Sequence, residues 1–233
     1  MSDLRTTSNS MPARRTVIVA TTNRGKLAEL RALLSSVAID LVSVQELGRK
    51  IDVLEDGETF EQNAMKKARI VAAAVTMPTL ADDSGLEVDA LDGRPGVRSA
   101  RFAGERASDA ENNVKLLAEL EAATGRFDPR MSMVDYERAR RARFRCALVL
   151  LDPVDPARPL QAMGSCEGYI ARAPSGAGGF GYDPIFVVRE AGGRTMAEVA
   201  EAEKNQLSHR ARAVAALLPK LERWSMGLEP LER

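Results

Sequence analysis

The feature that most limits the fold of this chain is a change of rhythm partway along it. Early on, short apolar or β-branched runs alternate with stretches of helical periodicity; later, strand-like runs follow one another directly. "TVIVAT" (16–21) reads as a buried strand, and Leu27, Leu30 and Leu34 then recur at helical spacing. "IDLVSVQEL" is a second strand. Thr59 and Gln62 form a capping-box pattern opening a helix whose apolar face is Phe60, Ala64, Ala68, Val71 and Val75. "PTLADD" and "LEVDAL" read as strands divided by a turn at Ser84-Gly85. Ser108 and Glu111 cap a further helix centred on Val114, Leu117 and Leu120. "FRCALVLLD" and "PLQAMGSCEGYI" predict a hairpin, "PIFVV" another strand, and one closing helix carries Leu207, Val214, Leu217, Leu218 and Leu221. The pattern predicts an α/β protein: a central mixed sheet flanked by helices, not a purely doubly wound fold.

A chain of 233 residues suits one domain or two lobes around a shared core. The expected organisation is a flexible tail over 1–15, a single unit over 16–225 and a C-terminal tail over 226–233. The charged stretch at 126–142 reads as an insertion. Lys+Arg and Asp+Glu both number 33, so no global cationic field points to nucleic acid or an anionic membrane. No apolar run approaches the roughly 18 residues of a membrane span, and the polar start lacks a secretory core. Cys146 and Cys166 lack a C-x-x-C spacing and lie in apolar runs, which predicts two buried, reduced thiols in a cytoplasmic protein. His209 is the only histidine, which excludes multi-histidine metal centres.

Five stretches could carry chemistry. "TTNRGK" (21–26) leaves a strand and enters a helix, where unpaired N–H groups suit a phosphate; Asn23 can donate, Gly25 permits close approach and Lys26 adds charge. It lacks Walker A spacing. In "EDGETFEQNAMKKA" the acids Glu55, Asp56, Glu58 and Glu61 crowd a helix entry, which the helix dipole favours by itself, or one of them holds a hard cation. Asp82 and Asp83 are adjacent in a strand, so their side chains take opposite faces and different tasks. Glu55 with one aspartate would be enough for Mg²⁺, which takes few carboxylates beside waters and phosphates. Gly176, Gly178 and Gly181 match G-x-G-x-x-G, but a strand with Pro184 follows instead of a helix, so a dinucleotide fingerprint is rejected. That loop presents Phe180 and Tyr182 beside Asp183, and an aromatic ring there could stack a nucleobase or pack into the core. Lys204, His209 and Arg210 cluster at the expected start of the final helix.

Taken together and in this order, "TTNRGK", "EDGETFEQNA", "ADDSGLEVDALDGRPGVRSARFAG", "GGFGYDPIF" and "EKNQLSHRARA" closely resemble the inosine triphosphate pyrophosphatase family, the Ham1-like proteins that include bacterial dITP/XTP pyrophosphatases. The resemblance covers roughly residues 16 to 223. Where the family carries Thr-Gly-Asn in its first motif, this chain has Thr21-Thr22-Asn23.

The resemblance implies a two-lobed fold with the active cleft between the lobes, and Mg²⁺-dependent cleavage of a purine nucleoside triphosphate between its α- and β-phosphates. It implies that Thr21, Thr22, Asn23, Arg24, Gly25 and Lys26 hold the triphosphate. Glu55 and Asp83 would be the metal carboxylates, with Asp83 also the proton acceptor and Asp82 its support. Ser84 would touch substrate, Phe180, Gly181, Tyr182 and Asp183 would hold the base, and Lys204, His209 and Arg210 would complete the pocket. A homodimer is also implied. Two other readings compete: a Maf-like hydrolase of modified pyrimidine or methylated nucleotides, and a nucleotide-binding module without turnover. No R-E-x-x-E-E helix supports a Nudix hydrolase.

Overall fold

The computed structural model describes residues 14–125 and 128–228. One six-stranded sheet organises them, in the order β2-β1-β3-β4-β5-β6. The first three strands, β1 (Arg15–Val19), β2 (Ile39–Ser43) and β3 (Thr79–Val88), pair in parallel around β1. The remainder, β4 (Arg141–Leu151), β5 (Leu160–Ile170) and β6 (Phe186–Val188), continue from β3 in antiparallel fashion. The change of rhythm in the sequence therefore marks the change from parallel to antiparallel pairing.

Helices cover both faces: α1 (Arg24–Leu33), α2 (Phe60–Val75), α3 (Asp109–Thr124), α4 (Met133–Ala139), α5 (Glu201–Leu207) and α6 (His209–Ser225). α1 and α6 pack their leucines on Val17, Leu80 and Leu148, whereas α2 covers Ile18, Ala81 and Val149 on the opposite face. A separate core forms beyond the midpoint of the long strands, where Leu116 and Leu120 of α3 meet Leu86, Phe144 and Phe186. The long strands thus pass from the cores holding Leu80 and Ala81 into the one holding Leu86, and Asp82 to Gly85 lie between them.

Several local expectations are corrected. β3 does not break at Ser84-Gly85; both residues stay in register, opposite Cys146 and Arg145. Glycine is there for space: a Cβ on Gly85 would lie 2.3 Å from Ser99 Oγ and 2.7 Å from the Gly96 carbonyl. The single closing helix is two, divided at Ser208, whose hydroxyl caps α6 by accepting from Ala211 N. The Thr59–Gln62 box is half made, because Thr59 caps α2 but Gln62 turns back to Glu58 N. The Ser108–Glu111 box is complete, although Val114 faces solvent and the buried face is Asn112, Asn113, Leu116 and Leu120. Arg15 already belongs to β1, and residues 1–13 and most of the expected C-terminal tail lie outside the described residues. The 126–142 stretch holds α4, where Tyr136 packs edge-on to Tyr169, and its end opens β4. Cys146 and Cys166 are both buried and free.

Candidate active site

Past the carboxyl ends of β1 and β2, beside the middle of β3, the chain leaves two gaps that meet. The larger is a cleft of about 690 Å³ touching Thr21, Thr22, Asn23, Lys26, Glu55 and Asp83. A smaller cavity of about 110 Å³ opens beside it, lined by Phe180, Tyr182, Asp183, Lys204, His209 and Arg210. Asn23, Lys26 and Ser84 border both.

The 21–26 loop is built by local capping. Asn23 Oδ1 accepts from Lys26 N at 3.0 Å, fixing the start of α1 and aiming its free N–H groups at the cleft. Among the described residues only Thr76 and Asp92 carry positive φ outside glycine, so Thr22 sits where the loop needs no left-handed backbone. Arg24 and Gly25 do not line the cleft. A Cβ on Gly25 would lie 2.6 Å from Phe180 Cδ1, so that glycine lets the phosphate-side loop and the aromatic ring touch.

Asp82 faces α1 and α6. Its carboxylate takes Lys26 Nζ at 2.5 Å, Arg210 Nε at 2.9 Å, the Ser84 hydroxyl at 3.0 Å and the Cys146 thiol at 3.2 Å. Burial pushes this carboxyl up, but Arg210 and Lys26 overcome that and hold it well below the usual carboxylate range. Asp82 is therefore an anionic anchor with little freedom to move.

Asp83 faces α2 instead. Its Oδ1 takes Lys67 Nζ at 2.9 Å, and the same ammonium lies 3.3 Å from Glu55 Oε1 and 2.7 Å from the Asp82 carbonyl. Asp83 Oδ2 is buried with no hydrogen-bond partner. Burial raises the Asp83 carboxyl above its ordinary value, and the Glu55 charge adds to this against Lys67 and Lys26. Burial also pushes Glu55 up, but the charges of Lys67 and Lys26 leave it below its ordinary value. Burial thus favours the protonated form of Asp83, which suits a proton acceptor.

Among the described residues no group of three or more His, Cys, Asp or Glu side chains forms a metal cage. A two-carboxylate set still fits a magnesium-type ion completed by water and phosphate oxygens. The unpartnered Asp83 Oδ2 beside Glu55 is an oxygen such an ion would satisfy.

On the base side, Phe180 is half-buried beneath two cations, with Lys204 Nζ 5.0 Å and the Arg210 guanidinium 5.8 Å from its ring centroid. His209 stacks on Phe144 at 4.8 Å and 21°. Tyr182 and Asp183 act as braces rather than open contacts. The Tyr182 hydroxyl donates to the Ser99 carbonyl, and Asp183 Oδ2 accepts from Lys204 Nζ and Phe180 N. Lys204 belongs to α5 and not to the final helix, so the break at Ser208 separates it from His209 and Arg210.

The chain matches the model of the Ham1 family over residues 17–220. It belongs to that family. It is 48% identical over 201 residues to the dITP/XTP pyrophosphatase of Geobacter sulfurreducens, covering 86% of this chain and 94% of that one. Identity to the protein of the same description from Bacillus subtilis is 45%, covering 88% and 96%. Among solved structures, a HAM1 protein from Coxiella burnetii superposes with a TM-score of 0.73 at 41% identity, covering 91% of this chain and 98% of that one. The Mycobacterium abscessus nucleoside-triphosphatase / dITP/XTP pyrophosphatase gives 0.66 at 43%, covering 88% and 99%.

Lys67 and Arg101 line the cleft without standing out in the Ham1 motifs, and Glu29 and Asn63 brace it from behind through Lys204 and Gly57 N. Lys67 and Asn63 recur with Phe60, Ala64 and Val71 on the buried face of α2, and polar residues on an apolar face were the available signal. Glu29 binds both Lys204, at 2.8 Å, and Arg210, joining α1 to α5 and α6. No feature of the 96–101 stretch marks Arg101, whose role depends on tertiary placement. Conversely, of the four acids near α2 only Glu55 reaches the cleft; Asp56 pairs with Lys66 at the surface.

Proposed function

We propose that this protein hydrolyses deaminated purine nucleoside triphosphates, ITP, dITP and XTP, to the monophosphate and pyrophosphate. The observation that carries the reading is the meeting of Glu55 and Asp83 on Lys67, one wall away from a cavity floored by Phe180. The Ham1 relatives described as dITP/XTP pyrophosphatases support it.

In this reading the triphosphate lies along Thr21 to Lys26, with its α-phosphorus beside Asp83. Asp83 accepts a proton from the attacking water, the bond from the α-phosphorus to the bridging oxygen breaks, and pyrophosphate leaves with its electrons. Glu55 and Asp83 would hold Mg²⁺, which when bound would neutralise phosphate charge. Lys26 and Lys67 supply further positive charge, while Asp82 keeps Lys26 and Arg210 in place. Phosphoryl transfer of this kind depends mainly on positioning and charge, so no covalent intermediate is required.

Base selection follows from hydrogen-bond sign. Three Arg210 nitrogens already donate to Asp82, Glu29 and Ser84, but a guanidinium carries five N–H groups. The remaining donors suit the 6-carbonyl of hypoxanthine or xanthine and oppose the 6-amino group of adenine. Mismatches of this polar kind reach about 10⁴–10⁵-fold.

We take residues 16–225 as one catalytic unit and 126–142 as an addition to it. A cytoplasmic homodimer is part of the proposal. Among the described residues no helix is long and apolar enough to cross a membrane. Incubation with Mg²⁺ and a panel of dITP, ITP, XTP, GTP and ATP tests the whole reading. Rapid release of dIMP and pyrophosphate from dITP is expected; orthophosphate as the first product, or preference for a pyrimidine nucleotide, would overturn it.

A further inference from the structure

Lys26 and Lys67 have their charge answered within the protein: Lys26 by Asp82 at 2.5 Å, Lys67 by Asp83 at 2.9 Å and Glu55 at 3.3 Å. Arg101, which lines the same cleft, differs. Its side chain is only 25% exposed, yet its close hydrogen bond, 2.6 Å from Nη2, goes to an uncharged acceptor, the backbone carbonyl of Glu55. The nearest carboxylate is Glu105, 3.9 Å from Nε and 76% exposed, where solvent weakens the attraction. One N–H of five therefore positions Glu55, and a nearly uncompensated guanidinium remains at the cleft wall.

The surroundings hold it there. Arg101 ends the 3-10 segment Gly96–Arg101. Asn112 Nδ2 donates to the Ala100 carbonyl at 3.3 Å, Lys115 Nζ donates to the Phe102 carbonyl at 2.7 Å, and Asn112 Oδ1 accepts from Ala103 N at 2.8 Å. The loop carrying Glu55 is fixed from its other side, where Asn63 Oδ1 accepts from Gly57 N and Gln62 Oε1 accepts from Glu58 N, both at 2.8 Å. Arg101 thus bridges α3 and its 3-10 segment to the α2 entry, beside the acids at the reaction centre.

We propose that Arg101 is a binding and positioning residue with two tasks: it fixes the Glu55 backbone, and it grips the leaving pyrophosphate. This rests on the hydrolytic reading above. As the α-phosphorus bond breaks, negative charge grows on the departing diphosphate, and a guanidinium meets two of its oxygens in a fork that an ammonium cannot match. Arg101 lines the larger cleft and not the base-side cavity, so binding of the nucleoside monophosphate product should depend on it far less.

The test is product inhibition of dITP hydrolysis in wild type, R101A, R101K and R101M. In R101A and R101M the inhibition constant for pyrophosphate should rise by about tenfold or more, the loss of a charge-assisted contact, while that for dIMP moves by less than about twofold. R101K should recover part of the pyrophosphate affinity. Equal pyrophosphate inhibition in all four proteins, or parallel weakening of pyrophosphate and dIMP, would overturn the assignment. Should R101A fail to fold, the R101K and R101M pair gives the same comparison at nearly equal side-chain length. If wild type releases no pyrophosphate from dITP, the hydrolytic reading itself falls. Calorimetric titration of pyrophosphate into wild type and R101M then still decides Arg101, equal affinities counting against it.

Discussion

Asp82 and Asp83 are neighbours in β3, yet one carboxylate is locked between Lys26 and Arg210 and the other rests on Lys67 across the sheet. Their asparagine variants should fail differently. Asp82→Asn leaves Arg210, 1% exposed, with Glu29 as its one remaining carboxylate, and losses of about 3–5 kcal/mol are typical when a buried pair is broken. Asp83→Asn removes a carboxyl that burial already disfavours and leaves Lys67 the Glu55 carboxylate at 3.3 Å, so the stability loss should be the smaller of the two. Turnover should fall by about 10²–10⁴-fold, the usual contribution of a general base, with dITP binding retained. Urea denaturation and single-turnover kinetics on both variants check this; near-normal turnover in Asp83→Asn would remove it from the chemistry.

Gly164 controls how closely α6 approaches the sheet. A Cβ there would lie 2.1 Å from the His209 carbonyl and 2.3 Å from Ala213 N, and these are backbone atoms that cannot rotate aside. Gly164→Ala must push the start of α6 outward, taking His209 and Arg210 with it. We expect about 1–3 kcal/mol of destabilisation, as in other overpacked cores, and a raised KM for dITP. A variant with unchanged melting temperature and KM would mean that α6 is not seated by this contact.

Such contacts explain why the fold was more legible than the site. The β4–β5 hairpin and the α3 cap could be read from alternation and from Ser108 with Glu111, because those signals are local. Ser84-Gly85 reads as a turn because that dipeptide is turn chemistry in most settings. Only the placement of Ser99 and Gly96 against β3 reveals that Gly85 is a spacing device. The division at Ser208 was hidden by apolar spacing that continues from Leu207 into Val214. In the site, Asp83 and Glu55 announce themselves as acids, whereas Lys67 reads as one more charge on an amphipathic helix until its face is known. Arg101 and Glu29 act through partners 46 and 181 residues away, which no local pattern encodes.

The two thiols should be inert in the folded protein. Cys166 is buried and its thiol is pushed up to about 12, chiefly by burial, while Cys146 is raised well above its ordinary value by burial and by Asp82. Attack on a thiol reagent requires the thiolate. Titration with an aromatic disulfide reagent at pH 8 should therefore count neither cysteine natively, and both in denaturant. Rapid native reaction would contradict the placement of Cys146 against Asp82.

His209 should make the protein sensitive to mild acid. Burial holds its imidazole well below the ordinary value of 6.5, with Arg210, Lys26 and Lys204 adding to the effect and Asp82 opposing it. Its Nδ1 is buried without a partner, and the ring lies flat on Phe144, so a charged imidazolium is poorly received. Well above pH 6.5 neither folded nor unfolded chain binds the proton, and the contribution is full. As pH falls below that value the unfolded chain takes up a proton that the folded chain excludes. Stability then declines, by up to about 1.4 kcal/mol per pH unit, until the depressed folded value is reached. A His209→Gln variant has no such group, so the stability difference between wild type and variant should shift against wild type between pH 7 and pH 5. Urea midpoints measured across that range give the slope. Parallel curves for the two proteins would show that the folded state accommodates a charged His209.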